Sequence, residues 1–119
     1  MQKSFIAAAS QPLILSILAV EECYGYKIVQ KLNAMLQGEM EWPEATLYPM
    51  LKRMEKTGLV RSKWTVADQE RPRKYYFITE AGIAELKRAN KRWHHISSII
   101  QSLCHQSLDV DIPPLTEEK

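Results

Sequence analysis

Glycine is scarce in this 119-residue chain, four in all, and no cluster of them forms a phosphate-cradling loop. Cysteine is scarcer still. Cys23 and Cys104 lie far apart with neither metal-ligand nor disulfide spacing, and they read as reduced thiols of a cytoplasmic protein. His94 and His95 are adjacent, so on a helix they diverge by about 100° and cannot grip one metal as an i, i+4 pair would. No nucleophile sits in a recognisable setting, so no enzyme, cofactor or metal site is expected. Long apolar runs are also missing. The stretch over residues 5–20 is interrupted by Ser10, Gln11 and Pro12 and meets Glu21 and Glu22 without a cleavage signal. It also falls short of the roughly 20 residues that a membrane span requires, so neither secretion nor insertion is expected.

What remains is 45% hydrophobic and 25% charged, the make-up of one globular domain with an extension. The net charge of +2 hides an uneven distribution. Residues 50–74 carry eight cations (Lys52, Arg53, Lys56, Arg61, Lys63, Arg71, Arg73, Lys74) against three acids (Glu55, Asp68, Glu70). Such a concentration suits a surface that meets phosphate, with a solvated charged face as the plainer alternative.

Helical periodicity dominates. Pro12 suits a first helical position, and residues 13–20 are apolar nearly all round, as in a buried helix. Over residues 24–37, Ile28, Val29, Leu32, Met35 and Leu36 form an amphipathic stripe that Gly38 can stop. A third helix is predicted from Pro43, with Leu47, Met50, Leu51 and Met54 on its apolar side and Gly58 closing it. Its other side carries Thr46, Tyr48, Lys52, Arg53 and Lys56. Pro49 lies inside this pattern at a cost of about 3 kcal/mol, which predicts a local distortion rather than an end.

From Leu59 the period changes to two. Val60, Ser62 and Trp64 alternate with Arg61, Lys63 and Thr65, and Tyr75 to Ile78 supply a partner strand. The pair reads as a two-stranded hairpin whose connection, about residues 66–74, is longer than usual and basic at its far end. Thr79 then caps a final helix reaching about residue 106. Its residues Ile83, Leu86, Asn90, Trp93, Ile96, Ile99, Ile100 and Leu103 lie close to a heptad seam. A helix roughly 40 Å long cannot bury that seam on so small a core. A second copy of the chain can. Residues 108–119, with Pro113 and Pro114, read as a loose tail.

Three helices followed by a hairpin is the order of a winged helix-turn-helix, here occupying residues 1–79, with residues 80–107 as a dimerisation helix; the fold class is mainly α. The run Ala45-Thr46-Leu47-Tyr48-Pro49-Met50-Leu51-Lys52-Arg53-Met54-Glu55-Lys56-Thr57-Gly58-Leu59-Val60 adds to this order. So do Trp64, the run Arg73-Lys74-Tyr75-Tyr76-Phe77-Ile78-Thr79-Glu80-Ala81-Gly82, and the opening Tyr24-Gly25-Tyr26. Together they resemble the PadR family of bacterial transcriptional regulators over about residues 11–104. The resemblance implies a homodimeric repressor of the short-tailed branch. A dimer covering two half-sites about one helical turn, roughly 34 Å, apart is expected to bind a near-palindromic operator in double-stranded DNA. The resemblance further implies that Trp93 helps to line a hydrophobic site for flat aromatic effectors between subunits. One departure concerns the wing, which in the family carries glycines ahead of the basic run. Here Asp68-Gln69-Glu70-Arg71-Pro72 makes it stiffer and more acidic.

The DNA-contacting candidates are therefore Thr46, Tyr48, Lys52 and Arg53 on the third helix, Arg73 and Lys74 on the wing, and Lys27 on the second helix. Tyr48 and Lys52 suit phosphate oxygens, and Arg53 suits phosphate or a guanine edge. Tyr24 lies beside them, whereas Tyr26 fits a core role equally well. Trp93 is first a packing residue, since an aromatic at that spacing buries a large area with or without a ligand. The rival reading is a winged-helix module for protein association, which has no need of cations on both the third helix and the wing.

Overall fold

The computed structural model describes residues 2–36, 44–66 and 71–108. Its elements run α1 (Gln2–Val20), β1 (Cys23–Tyr24), α2 (Gly25–Leu36), α3 (Glu44–Lys56), β2 (Val60–Thr65), β3 (Arg73–Ile78) and α4 (Glu80–Leu108). The expected helix stop at Gly38, the start at Pro43, the acidic wing tip at residues 68–70 and the tail from residue 109 lie outside the described residues. Contacts divide the chain into two units, one ending at Leu86 and one beginning at Lys87.

The first unit is built on three helices whose apolar faces meet. Ile14, Leu15, Ile17 and Leu18 of α1, Ile28, Val29 and Leu32 of α2, and Leu47, Leu51 and Met54 of α3 form one buried cluster, closed by Cys23, Val60 and Tyr76 of the sheet. Leu86, in the second turn of α4, packs partly buried against the same cluster. Removing such side chains from water stabilises by roughly 1.5–3 kcal/mol each, enough to override local objections to helix. Two of those objections are prolines.

Pro12 was expected to open the first helix, but α1 begins ten residues earlier at Gln2 and runs through it. Gln2, Lys3 and three consecutive alanines are good helix formers. The carbonyl that loses its donor belongs to Ala8, which is exposed and open to water. In α3, Pro49 likewise does not end the helix, because Leu47 and Leu51 on either side of it are fully buried. Gly58 does end it. With φ of 85° it takes the left-handed turn open to glycine. The Leu59 amide then donates to the Met54 carbonyl (2.9 Å) and the Gly58 amide to the Glu55 carbonyl (3.1 Å).

The wing hairpin pairs antiparallel, from Val60↔Ile78 to Thr65↔Arg73. Arg73 and Lys74 therefore belong to β3 and not to the connecting loop, a shift of two residues from the sequence-based boundary. The sheet also has a third strand that the sequence pattern missed. Tyr24, assigned to the start of the second helix, instead lies in β1, which adds to β3 through Cys23↔Tyr76 and Tyr24↔Tyr75. Two residues are too short for any periodicity to register. Thr79 caps α4 as expected. Its hydroxyl accepts from the Gly82 amide (3.0 Å) and donates to the Gly58 carbonyl (2.6 Å), so the α3 turn and the α4 start share one residue.

Candidate nucleic-acid interface

Burial of Leu47, Leu51 and Met54 fixes which side of α3 meets water. Thr46, Tyr48, Lys52 and Arg53 all fall on that exposed side. Thr46 and Arg53 are seven residues apart and Tyr48 and Lys52 four, so each pair shares a strip of helix surface. Arg53 also reaches its own helix, with a guanidinium nitrogen 4.0 Å from the Met50 sulfur.

Tyr48 leans from α3 onto the first residue of α2. A Cβ placed on Gly25 would lie 2.5 Å from Tyr48 Cε1 and 2.8 Å from its hydroxyl, so the ring rests directly on a backbone that only glycine leaves bare. The phenol nevertheless remains 42% exposed. Around it lies a groove of about 700 Å³, bounded by Tyr24, Gly25 and Tyr26, by Trp64 of β2, and by Arg71, Arg73 and Lys74 on the wing side. No carboxylate lines it among the described residues. Aromatic rings interleaved with cations can hold a sugar-phosphate strand, with charge for the phosphates and flat apolar faces for the sugars.

The wing cations are held in different ways. The Arg73 guanidinium lies 4.4 Å from the centre of the Tyr24 ring, which itself meets Tyr75 edge-on at 5.5 Å. Lys74 stands 3.8 Å from Glu55 Oε1 and 5.6 Å from the Tyr76 ring centre. The other Glu55 oxygen accepts from the Ser62 hydroxyl at 2.6 Å. Burial, and then the Glu55 charge, push the Tyr76 phenol above its ordinary range.

The groove thus gathers Tyr48, Arg73 and Lys74. Thr46, Lys52 and Arg53 continue along the exposed side of α3 outside it. Lys27 is on α2, 3.9 Å from Glu21, and does not line the groove. Sequence reasoning did not count Trp64, 65% exposed near the end of β2, among the DNA-contacting candidates. Strand alternation alone placed Trp64 on the face of Val60 and Ser62, but not beyond the cover of the core. Tyr26, undecided between surface and core, is half exposed.

In the second unit, Trp93, Ile96, Ile99, Ile100 and Leu103 of α4 are each between 41% and 55% exposed. Asn90 is exposed as well. Such a run of large apolar side chains along one helix is an unpartnered face in the single chain. No three His, Cys, Asp or Glu side chains converge on a possible metal position among the described residues. No helix among them is long and apolar enough to cross a membrane.

Residues 14–88 match the Transcriptional regulator PadR-like family. This chain belongs to that family. Members are transcriptional regulators, not enzymes. Uncharacterized protein X of Lysinibacillus sphaericus is 32% identical over 88 residues, 74% of this chain and 81% of that protein. A PadR-like transcriptional regulator from Bacillus cereus superposes with a TM-score of 0.74 at 31% identity, covering 84% of this chain and 95% of that one. Bacillus subtilis PadR, solved in complex with operator DNA, shares the fold with a TM-score of 0.60 at 22% identity. The present chain covers 52% of its length. The family match takes in α2, α3 and the wing, and leaves Asn90, Trp93, Ile96, Ile100 and Leu103 of α4 beyond its end.

Proposed function

We propose that this PadR-like regulator is a homodimeric, short-tailed repressor that binds double-stranded operator DNA through α3 and the wing. The observation that carries the reading is the convergence of Tyr48, Arg73 and Lys74 on one groove that no carboxylate lines among the described residues, with Lys52 on the same strip of α3 as Tyr48, and Thr46 and Arg53 on another exposed strip of that helix. Exposed cations on two separate elements, α3 and the wing, suit a duplex and are what a protein-association module does not need. The operator complex of Bacillus subtilis PadR, which has the same fold, supports it. Pairing occurs through the α4 seam, where Ile83, Leu86, Asn90, Trp93, Ile96, Ile100 and Leu103 lie. A dimer presents two α3 helices to half-sites roughly 34 Å apart, hence a near-palindromic operator. A small hydrophobic or aromatic effector meeting Trp93 releases the DNA by binding one dimer arrangement better than the other. The cytoplasm is its expected compartment.

Selection of bound sequences from random duplexes, followed by titration at two salt concentrations, tests the reading. A two-fold symmetric consensus and a steep salt slope are expected. Lys52→Ala should weaken all duplexes alike by about 1 kcal/mol, whereas Arg53→Ala should also relax sequence preference. A salt slope near zero would remove phosphate contact from the account.

A further inference from the structure

Glu55 is an acid in the middle of the most basic stretch of the chain, and the site described above gives it no role. Its carboxylate is tied at both ends. Ser62 of β2 donates a short hydrogen bond to Oε2 (2.6 Å), which aims Oε1 at Lys74 of β3, 3.8 Å away. Ser62 and Lys74 can both meet α3 because strand register puts Ser62 opposite Tyr76 and Trp64 opposite Lys74 on one face of the hairpin. Lys74 also lines the groove. Among the described residues, it is the one groove cation that has a carboxylate partner.

We propose that Glu55 is a positioning residue that acts through Lys74 as a stand-in for phosphate. It docks the wing against α3 in the free protein. Lys74 then reaches nucleic acid only by exchanging one oxyanion for another, which weakens binding to duplexes of arbitrary sequence. The pair is partly exposed, with about a third of each side chain accessible, so it is a brake of a few-fold and not a lock. The inference rests on the DNA-binding reading and deepens it, by assigning part of the electrostatic cost of binding a duplex to a residue that need not touch DNA.

Glu55→Gln tests this in the full chain, since the amide keeps an oxygen for Ser62 and removes only the charge. Binding is measured by fluorescence anisotropy on a mixed-sequence duplex of about 20 base pairs, with wild type, Glu55→Gln, Lys74→Ala and the double variant. Glu55→Gln should bind roughly two- to five-fold more tightly at low salt. Its log-log salt slope should steepen by about 0.9, an extra three- to four-fold loss between about 50 and 200 mM salt. Both changes should vanish in the Lys74→Ala background. Glu55→Asp, which keeps the charge but shortens the reach, should fall between. Unchanged affinity and slope in Glu55→Gln would overturn the inference while leaving DNA binding intact. Equal tightening without Lys74 would also overturn it, by making Glu55 a general source of repulsion. A wild-type chain with no salt-dependent binding would remove both readings together.

Discussion

Gly25→Ala separates the stability of this fold from its proposed activity. The new Cβ would sit 2.5 Å from Tyr48 Cε1, 2.8 Å from its hydroxyl and 3.0 Å from Cζ. All three atoms are the far end of one side chain that is 42% exposed, so the ring can swing outward and leave the core undisturbed. Alanine gains up to about 1 kcal/mol over glycine in a helix, less at its first position, and displacing the ring costs a similar amount. The two nearly cancel. At roughly 4–8 °C per kcal/mol for a domain of this size, the melting temperature should move by only a few degrees. Binding should not be spared. A hydrogen bond from Tyr48 to a charged phosphate contributes about 1.5–3 kcal/mol, so affinity for operator duplex should fall by roughly ten-fold or more. Tyr48→Phe, which keeps the ring and removes the hydroxyl, should lose a comparable amount. Circular dichroism melts and anisotropy titrations read the two effects separately. Wild-type affinity in Gly25→Ala would refute the placement of Tyr48 at the phosphate. A melting temperature lowered by well over about 10 °C would refute the claim that displacing the ring leaves the core undisturbed.

Other perturbations test other parts of the structure. Thr79→Ala removes both the cap on the Gly82 amide and the bond to the Gly58 carbonyl; a loss of about 1–2 kcal/mol should appear as a lower denaturant midpoint with DNA contacts untouched. Ile100→Asp puts a charge into the α4 seam and should convert the proposed dimer to monomer in sedimentation velocity; a dimer that persists would move the interface elsewhere. The hydrogen bond from Lys31, and then the Lys31 charge, hold the Glu21 carboxyl below its usual 4.5. A lowered folded value means that the stabilisation is present above pH 4.5 and lost as pH falls through the folded pKa. Glu21→Gln should therefore melt slightly below wild type at neutral pH and together with it in strong acid, and the gap should shrink at high salt because the pair is exposed.

Much of this protein is visible in the order of its residues. The stripes of α2 and α3, the stop at Gly58, the cap at Thr79 and the alternation of β2 each follow from spacing alone, because neighbours in sequence decide them. The cation-rich segment and the exposed side of α3 follow from the same local rule. Local pattern could not find β1, whose two residues become a strand only because β3 offers its edge. It placed the helix start at Pro12, where buried Ile14 and Leu15 pull α1 through the break. Nor could it find the groove. Tyr24, Tyr48, Trp64 and Arg73 come from four elements, and their meeting depends on a bare glycine under a tyrosine ring. Chain neighbours dictate periodicity, whereas contacts between distant segments are set by which buried surfaces close on one another, and only the folded chain decides that.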